Sequence, residues 1–116
     1  MKNNIVKIKS RLFAIRIYKL YQYLCNEKKE FVLSKQILRS GTSIGANIAE
    51  AECSISRKEF TSKLYIALKE ASETQYWLEF LFDVKLINKK QFENISADCK
   101  ELLKLLTATI KTLKNK

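Results

Sequence analysis

Apolar residues recur along this chain at alternating steps of three and four, the spacing at which a helix turns one face toward neighbouring helices. Four runs show it. Val6, Ser10, Phe13, Ile17, Leu20 and Leu24 define a first helix over about residues 4–28. The polar stretch NEKK, Asn26 to Lys29, breaks it. Ile37, Gly41, Ile44, Ile48, Ala51 and Ile55 define a second over roughly 31–54. Ser56 to Glu59 then reads as a capping box, in which a Ser oxygen and a Glu side chain satisfy each other's end of the helix. Phe60, Leu64, Ala67, Ala71, Thr74, Leu78 and Leu81 carry the third helix to about Asp83. After a turn at Val84–Ile87, Asn88 with Gln91 starts a fourth, whose seam is Phe92, Ile95, Cys99, Leu102, Leu106, Ile110 and Leu113. Helices of this length, each roughly 40 Å, joined by turns of a few residues predict an all-α fold. It is an antiparallel up-down-up-down four-helix bundle, a single domain over residues 1–116, with the first and fourth helices as neighbours.

Two stripes exceed what a monomeric bundle requires. On the first helix, Ile5, Ile8, Leu12 and Ile15 form a second apolar row beside the seam, which points to contact between subunits. On the second helix, a row beginning at Leu33 continues as Gln36, Ser40, Ser43, Asn47 and Glu50, with Arg39 at its edge. That row could line a pocket for a ligand or RNA, or form a buried hydrogen-bond network. Polar groups between helices cost about 1–3 kcal/mol each when unpaired, and paired ones fix register and oligomer state. The network is therefore the preferred expectation. It would comprise Gln36, Arg39, Ser40, Ser43, Asn47 and Glu50, with Glu70 or Glu73 of the third helix satisfying Arg39. Gly41 and Gly45, the chain's two glycines, lie on this helix. Each costs about 1 kcal/mol relative to Ala, so both are expected where another backbone comes close. Tyr76, Trp77, Phe80 and Phe82 cluster near the end of the third helix. A core or subunit interface explains them better than a platform for bases, because Trp77 and Phe80 share a stripe with Ile66.

Composition narrows the class. With no proline and two glycines in 116 residues, turn-rich β folds are excluded. No apolar run reaches membrane-spanning length, and the N-terminus lacks the pattern of a secretory signal. Cys25, Cys53 and Cys99 have no metal-ligand spacing and the chain has no histidine. No metal, cofactor or catalytic residue is expected: a di-iron bundle needs Glu-x-x-His pairs, and a serine nucleophile here would have no base. The three thiols are expected reduced and packed, in a cytoplasmic protein.

The net charge of +10 is uneven: +8 over residues 1–40, −3 over 41–84 and +5 over 85–116. The excess lies on the two helices expected to be adjacent, whose outer faces would merge into one positive surface. Lys7, Lys9, Arg11, Arg16 and Lys19 on the first, and Lys100, Lys104, Lys111 and Lys114 on the fourth, are the candidate phosphate contacts, with Lys2 and Lys116 at the ends. Such a surface binds nucleic acid by counterion release.

RSGTSIGANIAEAE (Arg39–Glu52), SRKEFTSKL (Ser56–Leu64) and LKEASETQYWLEFL (Leu68–Leu81) resemble the bacterial four-helix-bundle family related to proteins encoded in intervening sequences of 23S ribosomal RNA genes. The resemblance implies an up-down bundle that assembles as a homopentamer, with no established enzymatic activity. The resulting expectation is a non-enzymatic homo-oligomer associated with nucleic acid, RNA being the first candidate. The alternative is a protein-protein adaptor, for example for a nucleic-acid enzyme, that touches no nucleic acid itself.

Overall fold

Every seam read from the sequence closes onto one core. The computed structural model describes residues 4–115, which form α1 (Asn4–Asn26), α2 (Leu33–Ala51), α3 (Arg57–Asp83) and α4 (Lys89–Lys114). Each helix packs on the next, and α4 returns beside α1 with sparser contact, giving an up-down-up-down bundle of 46 × 21 × 18 Å. Val6, Phe13, Ile17 and Leu24 meet Ile37, Ile44 and Ile48, then Leu64, Leu78 and Leu81, then Cys99, Leu102 and Leu106. Ile55 is the exception. It is 93% exposed because α2 stops at Ala51, short of the expected end.

The other helix ends are held by identifiable groups. Val32, at the cap of α2, has no side-chain oxygen to offer. Glu30 supplies it from outside, accepting the amides of Val32 at 3.2 Å, Leu33 at 3.0 Å and Ser34 at 2.8 Å. One carboxylate thus serves three of the orphan donors of the first turn. The Ser56 hydroxyl accepts from the Glu59 amide at 3.0 Å. At Asn88 and Gln91 both halves of the capping box form, at 2.8 Å each. The end of α3 is a Schellman turn: Leu86 N–H donates to Leu81 O at 2.9 Å and Lys85 N–H to Phe82 O at 3.0 Å. Lys85 takes the left-handed position (φ 66°) that glycine usually fills, as Lys29 does after α1 (φ 53°).

The two glycines differ. A Cβ on Gly41 would stand 2.7 Å from Ile17 Cγ1 and 2.8 Å from Cγ2, whereas one on Gly45 would meet Ser10 Oγ at an ordinary 3.4 Å. The α1 backbone itself comes close at Gly45, where Ser10 O and C would lie 3.5 and 3.6 Å from a Cβ, while at Gly41 the neighbour is the Ile17 side chain and a Cβ does not fit.

Candidate functional site

The polar row of α2 is divided by the packing. Ser40 is fully buried, and its hydroxyl meets that of Thr74 on α3 at 2.9 Å. Ser43 and Asn47 are half-buried and bond within α2, Ser43 Oγ to Arg39 O at 2.6 Å and Asn47 Nδ2 to Ser43 O at 2.9 Å. Glu50 is exposed and takes Lys63 Nζ at 2.8 Å, which raises the Lys63 pKa. Gln36 and Arg39 face solvent. No bond joins Arg39 to Glu70 or Glu73 among the described residues; Glu73 accepts from Trp77 Nε1 at 3.1 Å, and Glu70 Oε1 is buried without a partner. The expected network thus contracts to one buried link between helices, Ser40–Thr74, and one exposed ion pair, Glu50–Lys63. The stripe drifts around α2, so that only its middle passes between helices.

Sequence reasoning missed a second buried polar contact. Gln75 Nε2 donates to Ser96 Oγ at 2.9 Å and to Glu79 Oε2 at 3.0 Å, tying α3 to α4. The available signal was position: each residue directly follows a seam residue, Thr74 or Ile95.

The basic residues form no unbroken surface. Along the α1–α4 seam Lys9 Nζ meets Glu101 at 3.1 Å, and Arg16 binds both Asp98 and Asn94. Lys7 reaches across to Glu52 at 2.8 Å, holding that carboxyl below its usual pKa. Such exposed pairs contribute about 0–1 kcal/mol, but they place acids where the two positive faces were expected to merge. Lys100, Lys104, Lys111 and Lys114 lie roughly 120° round α4 from that acidic edge. Lys114 Nζ sits 5.1 Å above the ring of Tyr65 on α3. Arg11, Lys19, Lys100, Lys104 and Lys111 are exposed, with no ion pair among the described residues. Lys2 and Lys116 lie outside the described residues.

The seam is not closed along its whole length. Toward the α3–α4 turn, a groove of about 520 Å³ opens between the second half of α1 and the first half of α4. Leu20, Ile87 and Ile95 line it beneath Arg16, Lys19 and Lys90. It continues past the α4 N-terminus into a recess of about 540 Å³, sharing Tyr23, Ile87 and Gln91 and reaching Lys28 and Lys85. The run KLINKK, Lys85–Lys90, was the sequence signal for these extra cations.

Other candidates resolve by burial. Tyr76, Trp77 and Phe80 form one cluster with centroids 5.1–6.2 Å apart, while Phe82 stacks on Phe92 of α4 at 4.8 Å. Cys99 is buried, and desolvation pushes its thiol up to about 12. Cys25 is half-buried and Cys53 is exposed, so Cys53 departs from the packed thiol expected of it. Among the described residues no three His, Cys, Asp or Glu side chains gather as a metal site. No helix there is long and apolar enough to cross a membrane.

The chain matches the family model described as 23S rRNA-intervening sequence protein over residues 2–108. The chain belongs to this family. Among solved structures, this chain is similar to a protein of unknown function from the S23 ribosomal protein family of Bacteroides thetaiotaomicron. The two share 60% identity at a TM-score of 0.93, covering 96% of this chain and 99% of the other. No curated protein matches. Neither the family model nor the solved structure carries the name of an enzyme family.

Proposed function

We propose that this protein is a non-enzymatic homo-oligomer, a pentamer as the family resemblance implies, that works in the cytoplasm in association with RNA. The observation carrying this reading is the set of exposed cations without acidic partners on two adjacent helices: Arg11 and Lys19 of α1, Lys100, Lys104 and Lys111 of α4. Maintaining such charge at close quarters destabilises a chain by self-repulsion, and a polyanion relieves it. Self-association is supported by Ile8, Leu12 and Ile15, three consecutive members of one α1 row, exposed by 56, 56 and 46%. Repetition of the unit would multiply the positive field.

Filter binding of a structured RNA over a range of salt concentrations tests the association. Direct phosphate contact predicts that log affinity falls linearly with log salt, with a slope near 0.9 per contact on duplex segments. No retention even at low salt would pass the role to a protein-protein adaptor.

A further inference from the structure

Free positive charge and accessible volume coincide where α1 and α4 part. Where α1 and α4 are tied by Lys9–Glu101 and Arg16–Asp98, the recess between them is only about 140 Å³ and its rim is neutralised. Beyond Arg16 the helices part. The groove there has an apolar floor, Leu20, Ile87 and Ile95, and no carboxylate in its lining. Its cations are Arg16, held at one end by Asp98 and Asn94, then Lys19 and Lys90. The continuing recess adds Lys28 and Lys85 against a single acid, Asp83. Lys28 Nζ lies 6.0 Å from the centroid of the Tyr23 ring, so a cation and an aromatic face share the junction of the two halves.

An apolar floor beneath a cationic rim matches a ligand that alternates planar, weakly polar groups with phosphates. A duplex keeps its base faces stacked inside and offers such a groove phosphates alone. A single strand offers both. We propose that the furrow running from Arg16 and Lys19 past Tyr23 to Lys85 binds a single-stranded RNA segment. Lys19, Lys90 and Lys85 hold successive phosphates, and a base lies against Leu20, Tyr23 and Ile87. This rests on the RNA association proposed above and assigns it a location. The second half of α1 and the α3–α4 turn carry it, and the lysines further along α4 contribute only long-range attraction.

Fluorescence anisotropy of a labelled oligouridylate, with the full chain, tests the assignment. Lys19→Glu with Lys90→Glu should weaken binding by about tenfold or more and flatten its salt dependence. Lys35→Glu with Lys69→Glu, exposed on α2 and α3, changes the net charge equally and should cost no more than about threefold. Tyr23→Leu keeps an apolar filler; it should weaken oligouridylate by about fivefold or more while leaving inorganic polyphosphate binding unchanged. Circular dichroism of each variant checks that the helices persist. Equal losses from both lysine pairs would overturn the furrow and leave RNA association standing. No binding of oligouridylate by the unaltered protein at low salt would overturn the furrow, and failure to retain a structured RNA as well would overturn the association with it. A change in assembly size on Lys19→Glu with Lys90→Glu would make the furrow a contact between copies, which also overturns it.

Discussion

Gly41 sets how closely α1 and α2 approach, and its surroundings make the consequence of a single methyl calculable in sign. The atoms a Cβ would strike, Ile17 Cγ1 and Cγ2 at 2.7 and 2.8 Å, belong to a fully buried, β-branched side chain. Such a side chain has one favoured rotamer in a helix and cannot swing aside. Relief requires the helices to separate, an overpacking cost of about 1–3 kcal/mol that outweighs the gain of about 1 kcal/mol in helix propensity. Gly41→Ala should therefore lower the urea midpoint. Gly45→Ala, whose Cβ would meet Ser10 Oγ, O and C at 3.4, 3.5 and 3.6 Å, all ordinary contact distances, should leave it unchanged or raise stability by up to about 1 kcal/mol. Equal effects in urea denaturation would show that α1 and α2 do not meet at Gly41. Spacing along α2 marked both glycines alike. What separates them is the size of the α1 residue opposite, isoleucine against serine, and that depends on a register between helices which neither segment encodes alone.

The helices themselves were legible because three-four spacing survives wherever a face is buried, and all four seams, Ile55 excepted, lie where the pattern puts them. Their ends were less so. The spacing predicts α2 from residue 31 to 54, whereas it runs from Leu33 to Ala51; Glu30 sets its start from a position where no standard capping signal is sought. The turn after α3 was legible as a turn, but not as one with Lys85 at φ 66°. Left-handed backbone costs an L-residue roughly 1–2 kcal/mol that glycine avoids, offset in part by the greater freedom glycine has when unfolded. Lys85→Gly should raise stability by about 0.5–1 kcal/mol, a rise of about 2–6 °C in thermal midpoint at this chain length. Both hydrogen bonds of the turn use backbone atoms and survive the change. An unaltered or lower midpoint would mean that the Lys85 side chain contributes as much as its backbone costs.

At the scale of the molecule, the candidate site was legible as charge and illegible as pairing. Lys9 and Arg16 read as free cations because Glu101 and Asp98 lie more than 80 residues away, and only the return of α4 beside α1 brings them together. The exposed apolar row of α1 was legible for the opposite reason: a seam accounts for one stripe per helix, and the surplus is visible locally. Its members leave large apolar surface in water, at about 25 cal/mol per Å², on a chain whose positive charge would otherwise keep copies apart. A second copy covering this face offsets that repulsion. Ile8→Glu with Leu12→Glu places charge on two positions each 56% exposed, so the bundle should retain its helicity. Light scattering should then report the mass of a single chain, against a multiple of it for the unaltered protein. If the doubly substituted chain keeps the larger mass, the assembly forms through another face. If the unaltered protein is itself monomeric, the surplus stripe serves some contact other than self-association.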